Sequence, residues 1–207
     1  MKYMASHLFV NTDNGFEPQR TNNFEMSISG LSNLKPAGGG DYSAKVRAML
    51  NNMSDDLILS IKNGFTPKEN ISVLTVPYGN SEVKFAGRPS YDEGSIIWND
   101  YYDKDIELLL KAWQMAAYNP QNGAVGDAKN YKLNAIMTMY SPGYTVARQW
   151  NIHGCWLASV NGDDMGNENN SIRTLSAQFV YDWAERIVDA NEIVSHSAFD
   201  GSNTIIK

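Results

Sequence analysis

Residues 103–120, DKDIELLLKAWQMAAYNP, constrain the fold of this chain more than any other stretch. Ile106, Leu109, Leu110, Trp113 and Ala117 recur at i, i+3, i+4, i+7 and i+11, one face of a 3.6-residue period. Asp103 is placed to cap the helix, and Asp105 and Glu107 put negative charge in its first turn, where the helix dipole favours it. Asn119-Pro120 ends it, because proline disfavours helical geometry at the residue before it. The polar stripe is narrow. Leu108, Ala112, Met115 and Ala116 are apolar and fall outside the core face. A surface helix needs one apolar stripe, so the surplus predicts a second packing partner, either a loop of the chain or another subunit. Leu108 and Met115 are the candidate interface residues on this helix.

The rest of the chain reads as strands and turns. Phe24 to Ile28 alternates apolar and polar, as do Tyr131 to Tyr140, Thr145 to His153 and Ile172 to Trp183. Gly154 marks a bulge, after which Trp156 and Leu157 resume the strand. Ser54-Asp55-Asp56 starts either a helical turn or a strand, and Leu57 to Ile61 reads as a strand ending at Asn63-Gly64. Ile71 to Val76 and Glu82 to Ala86 flank Tyr78-Gly79-Asn80-Ser81, which is turn chemistry. Pro77 closes the first of these runs and Gly87-Arg88-Pro89 the second. A strand pair on such a turn can extend past a compact body, and its exposed edges are a liability for a monomer and a resource for an assembly. Residues 42–51 form a short helix capped by Asp41. LSNLKPAGGGD is a flexible connection with no Gly-Lys-Ser/Thr after it, so it is no phosphate loop. The stretch GAVGDAKN is a turn-rich loop. The pattern predicts a mainly β chain, an antiparallel sandwich or barrel with one flanking helix, in one domain over 1–207. Residues 1–23 form an arm and 189–207 a tail.

Charge and composition narrow the function. The 207 residues carry a formal charge of −6, unlike a surface built to grip nucleic acid. The one cysteine, Cys155, permits no internal disulfide and fits a reducing cytoplasm. No apolar run approaches the ~20 residues of a membrane span. His7, His153 and His196 lack metal-ligand spacing, and no Gly-x-Ser-x-Gly elbow occurs. The loop 161–170 fails as a calcium loop, because Met165 and Ile172 stand where ligands are needed. No catalytic, metal or cofactor site is expected, and the chain reads as no enzyme. Its tryptophans leave a carbohydrate-binding sandwich as a rival class.

Several strings, in this order and spacing, resemble the tail tube proteins of contractile-tailed phages, whose fold is shared by type VI secretion and R-type pyocin tubes. They are LILSIKNGFTP, VPYGNSEVKFAGRP, IELLLKAWQMAAYNPQNGAVGDAKNYKLNA, YSPGYTVARQWNIHGCWLASV and RTLSAQFVYDWA, and together they span roughly residues 54 to 185. The resemblance implies a structural virion protein, made in the host cytoplasm and built into the tail. Six copies would close a ring and rings would stack into a tube, in contact with sheath and baseplate proteins. Viral DNA would pass through without specific binding. A tube initiator or terminator ring, or a type VI-like secretion tube, remains an alternative. Tyr78, Gly79 and Asn80 on the hairpin become interface candidates beside Leu108 and Met115. Thr174, Ser176 and Gln178 are candidates for the lumen face. The Ala147, Gln149, Asn151 face is another, and alternation alone equally allows outer solvent for either.

Overall fold

The computed structural model describes residues 19–52, 54–141, 143–164 and 171–187. The expected arm is therefore described only from residue 19, and the expected tail lies outside the described residues, as does most of the acidic loop. The order of elements is β1 (Phe24–Ser29), a 3-10 turn (Leu31–Asn33), α1 (Ala44–Asn52), α2 (Ser54–Leu59), β2 (Ile61–Asn63), β3 (Glu69–Tyr78), β4 (Ser81–Tyr91) and β5 (Gly94–Asn99). There follow α3 (Ile106–Ala117), the short pair β6 (Tyr118–Asn119) and β7 (Ala124–Val125), α4 (Ala128–Tyr131), β8 (Leu133–Tyr140), β9 (Val146–Gly162), β10 (Thr174–Val180) and β11 (Trp183–Arg186).

The architecture is mainly β, an antiparallel sheet in the order β1-β8-β9-β10-β5-β2, with β11 also on β9. The 17-residue β9 is long enough to serve both halves. Its first half lies between β8 and β11, and its second half pairs with β10. Gly154, at φ 66, lies at the irregularity between them, where the register against β8 shifts. The sheet curls until its two ends approach, and Gly64 beside β2 packs against the Phe24 ring of β1.

Inside the curl, alternation places Met26, Ile28, Leu133, Ala135, Ile152, Leu157, Leu175, Ala177 and Phe179 in one core with Trp98 and Trp113. Trp113 meets Phe179 edge to face at 5.9 Å, and its Nε1 donates to the Tyr131 carbonyl at 2.9 Å. Helix α3 lies along the edge of β9 that β10 leaves free. Lys111 Nζ donates to the Val160 carbonyl at 2.9 Å and Gln114 Nε2 to the Ala158 carbonyl at 3.2 Å, so helix side chains satisfy backbone acceptors that a further strand would otherwise take.

Several expectations are corrected. The segment read as a strand from Leu57 is the helix α2, since Asp55 and Asp56 fill a helical first turn and only Leu57 of its residues is buried. The cap of α3 is Asp105, whose side chain accepts from the Leu108 N–H, rather than Asp103. At α1, Asp41 pairs with Arg47, and the Ser43 hydroxyl accepts from the Val46 N–H. Ala112 and Ala116, read as surplus cover on α3, are fully packed inside the chain. The supposedly flexible connection supplies that cover. It buries Leu31, Leu34 and Ala37, and the Ala37 N–H donates to the Met115 carbonyl at 3.1 Å. Tyr42 adds a hydroxyl donated to the Ala112 carbonyl at 2.6 Å. GAVGDAKN is likewise ordered, as β7 and the turn of α4. The last strand breaks at residues 181–182, and Trp183 turns outward to stack on His153 with centroids 4.1 Å apart.

Candidate functional site

The hairpin β3–β4 is the part of the described chain least used by its own fold. Among the described residues its two strands pair with each other and with no other strand. They run beyond the expected breaks, so that Pro77 pairs with Glu82 and Pro89 with Ile71. Both prolines are tolerated because each strand of a two-stranded ribbon has one edge with no ladder partner. The turn is built from the expected residues. Tyr78 pairs with Ser81, and Gly79 takes φ 61, the positive value a two-residue hairpin turn asks of its first central residue. Tyr78 and Asn80 are exposed there. At the root, the Lys68 N–H donates to the Tyr181 hydroxyl at 3.1 Å and the Asp92 N–H to the Lys68 carbonyl at 3.1 Å.

The cross-strand register puts Leu74 opposite Phe85 and Val76 opposite Val83, with Tyr78 two residues further on. Side chains at alternate positions share a face, so these five form one apolar strip. They are 57%, 53%, 40%, 41% and 77% exposed respectively. On the other face Thr75 and Lys84 are paired, as are Pro77 and Glu82. A contiguous apolar strip of this kind marks an interaction surface more often than chance exposure. The clue in the sequence was the alternation of Leu74 and Val76, read there only as a strand.

The other candidates are dispersed. Leu108 and Met115 are half-buried on α3, remote in sequence from the hairpin. Thr174 does not share an open face with Ser176 and Gln178. It is 9% exposed, and its N–H and hydroxyl both donate to the Asp163 carboxylate, closing the base of the loop between β9 and β10. Those two donations hold the Asp163 carboxyl below its usual pKa. Ser176 and Gln178 do lie at a surface. With Ser95, Ser159, Asn161 and Glu93 they line a shallow hollow on the outer face of the β9-β10-β5 half-sheet, and no residue lining it is basic. Gln178 donates to the Glu93 carboxylate.

Little reactive chemistry accompanies these surfaces. Cys155 is fully buried, and burial pushes its thiol up to about 12. Among the described residues no three His, Cys, Asp or Glu side chains converge as a metal site. None of the described helices is long and apolar enough to cross a membrane.

No protein-family model matches the chain, and no curated protein matches it in sequence. Solved structures do match in fold. A chain of the six-fold symmetrised anti-feeding prophage baseplate aligns over 83% of this chain and 96% of its own, with 7% identity and a TM-score of 0.56. The cap that terminates the anti-feeding prophage tube aligns over 83% and 91%, with 12% identity and a TM-score of 0.56. A chain from the sheath/tube terminator of the PVC extracellular contractile injection system aligns over 83% and 97%, with 12% identity and a TM-score of 0.56. This chain shares its fold with components of contractile injection systems. The sequence resemblance to contractile tail tubes is thus matched at the level of the fold, in a range of identity where sequence alone carries little.

Proposed function

We propose that this chain is a structural subunit of a contractile tail or tail-like injection particle, and that six copies close a ring that stacks into or onto its inner tube. The observation that carries this reading is the hairpin strip of Leu74, Val76, Tyr78, Val83 and Phe85. Half-exposed apolar side chains of this size each gain roughly 1 kcal/mol when the remainder is buried, so the strip offers about 5 kcal/mol per copy before ordering costs. Repetition of the same contact around a closed ring compounds that modest gain. The neutral to acidic hollow at Ser95, Ser176 and Gln178 suits a channel wall for a polyanion such as viral DNA, because basic residues there would bind phosphate by counterion release. Sheath and baseplate proteins would contact the outside of the ring.

Electron microscopy of the purified full chain tests the reading. Wild type is expected to form rings or tubes, and Val76→Ser with Phe85→Ser to remain dispersed with an unchanged melting temperature. A wild type that stays monomeric at high concentration overturns it. A second reading, a tube-terminating or baseplate ring, is favoured by the fold match to a tube cap and a terminator at TM-scores of 0.56, against 0.50 for a sheath-tube complex. Single or paired rings that never lengthen would select it over the repeating tube.

A further inference from the structure

Resting on the self-assembly reading above, we propose that the apolar strip of the hairpin seats in a specific groove of a second copy, the opening between β1, α2 and β2. This groove is where the curled sheet fails to close. β1 and β2 are the two ends of the strand order, so among the described residues each has an outer edge without a strand partner. Helix α2 bridges the opening and leaves a hollow of about 680 Å³ over an apolar floor that includes Phe24, Ile58, Leu59 and Ile61. Leu59 is 78% exposed there, an unusual state for a leucine at the end of a helix packed on a core. The chain's own hairpin leaves the groove open.

Three features match the hairpin to this seat. Both surfaces are apolar strips flanked by unpaired strand edges, so a docked ribbon can satisfy backbone groups as well as bury side chains. The charges are complementary. The rim carries Glu25 and Asp55 against Lys62, and the face of the ribbon opposite the strip, which turns up toward that rim once the strip is seated, carries Lys84 beside Glu82, with Arg88 at the register shift near the root. The reach suffices, since strands of 10 and 11 residues extend on the order of 33 Å from the root, enough to cross the face of a neighbour. Strip and groove are different surfaces of one molecule, so the contact is head to tail. Each copy gives one hairpin and accepts one, which either closes a ring or propagates.

Disulfide trapping tests the seat directly, because Cys155 is fully buried and will not compete. Val76→Cys and Leu59→Cys, each alone, are expected to give no cross-link through this contact. Mixed, they are expected to give a covalent dimer under mild oxidation. The double variant is expected to give a ladder of covalent oligomers. Leu59→Gln is expected to weaken self-association at least ten-fold in sedimentation, with the circular dichroism melt unchanged. Self-association that survives Leu59→Gln, with no heterodimer from the mixture, overturns the seat and leaves the assembly reading standing. A double variant that closes an internal disulfide within the monomer also overturns it. A wild type that never self-associates overturns both.

Discussion

Gly154 carries the bend that lets one strand belong to two halves of a sheet. Its φ of 66 is left-handed, and the place a Cβ would take is filled by the Asp182 carboxylate, which accepts from Lys132 Nζ at 2.6 and 2.7 Å. Gly154→Ala must therefore strain the backbone and push Asp182 off its lysine. The expected cost is about 2–4 kcal/mol, read by denaturant unfolding. The glycine between two alternating runs was legible as a bulge. Asp182, 28 positions later, was not, because nothing local announces which carboxylate will fill the missing side chain. Thr174 teaches the same lesson. Alternation assigned it to the polar face of β10, but it is the first residue of that strand, where Asp163 captures its N–H and hydroxyl. That clamp has a pH signature. The carboxyl of Asp163 lies lower in the folded chain than its unfolded value of 3.8, so its contribution is complete above that value and fades as pH falls through the folded one. In thermal melts, the advantage of wild type over Asp163→Asn is expected to hold at about pH 5 and to shrink progressively as pH falls below 3.8. A gap that persisted unchanged would rule out the carboxylate as its source.

At the scale of the element, α3 and the long strands were legible and the short pieces were not. The helix has 12 residues and a sustained period, and of its six buried side chains Ile106, Leu109, Leu110 and Trp113 stand on the face read as core, while Ala112 and Ala116 come from the surplus cover and Ala117 is only half-buried. What covers those alanines comes from residues 31–42, whose glycines and proline read as slack but whose Leu31, Leu34 and Ala37 are anchored on the helix. Six residues such as SDDLIL fit one and a half helical turns or a short alternating strand about equally well, so α2 could be decided only by its packing against β1. The start of α3 was misplaced by two residues because Asp103 and Asp105 are both good caps, and only the second has its carboxylate over the Leu108 N–H at 3.3 Å. Asp105→Ala should cost about 1 kcal/mol and Asp103→Ala almost nothing, measured by the same denaturant titration. Equal effects would mean that first-turn charge, and not the cap, is what matters. The hairpin was read correctly at its turn and too short at both ends, since proline usually stops a strand and here occupies unpaired edges.

For the whole molecule the division of labour is by face. The inside of the curl is closed by Trp98, Trp113 and Phe179, and the hairpin contributes only Tyr91, at the root of β4, packed against that core, so folding and assembly can be changed separately through the outer part of the hairpin. The outer face of the β9-β10-β5 half-sheet is a third, independent surface, and its neutral side chains can be altered without touching either. On the tube reading this face lines the channel, and a direct consequence follows from charge. Ser95 and Ser176 lie on that face beside the Gln178–Glu93 pair. Replacing both with lysine in a ring of six would place twelve cations around the bore, roughly one per subunit on each of two rows. A polyanion sliding past 6–10 such contacts would acquire ~10³–10⁵ of affinity that disappears between low and moderate salt. The Ser95→Lys, Ser176→Lys double variant is therefore expected to assemble like wild type, because neither residue belongs to the hairpin or the groove, and to slow passage of DNA through the tube in low salt while recovering in high salt. Single-particle ejection kinetics at two ionic strengths measure this. Ejection at the wild-type rate under both conditions would move the face from the channel to the outside of the ring, and would leave the hairpin and its seat unaffected.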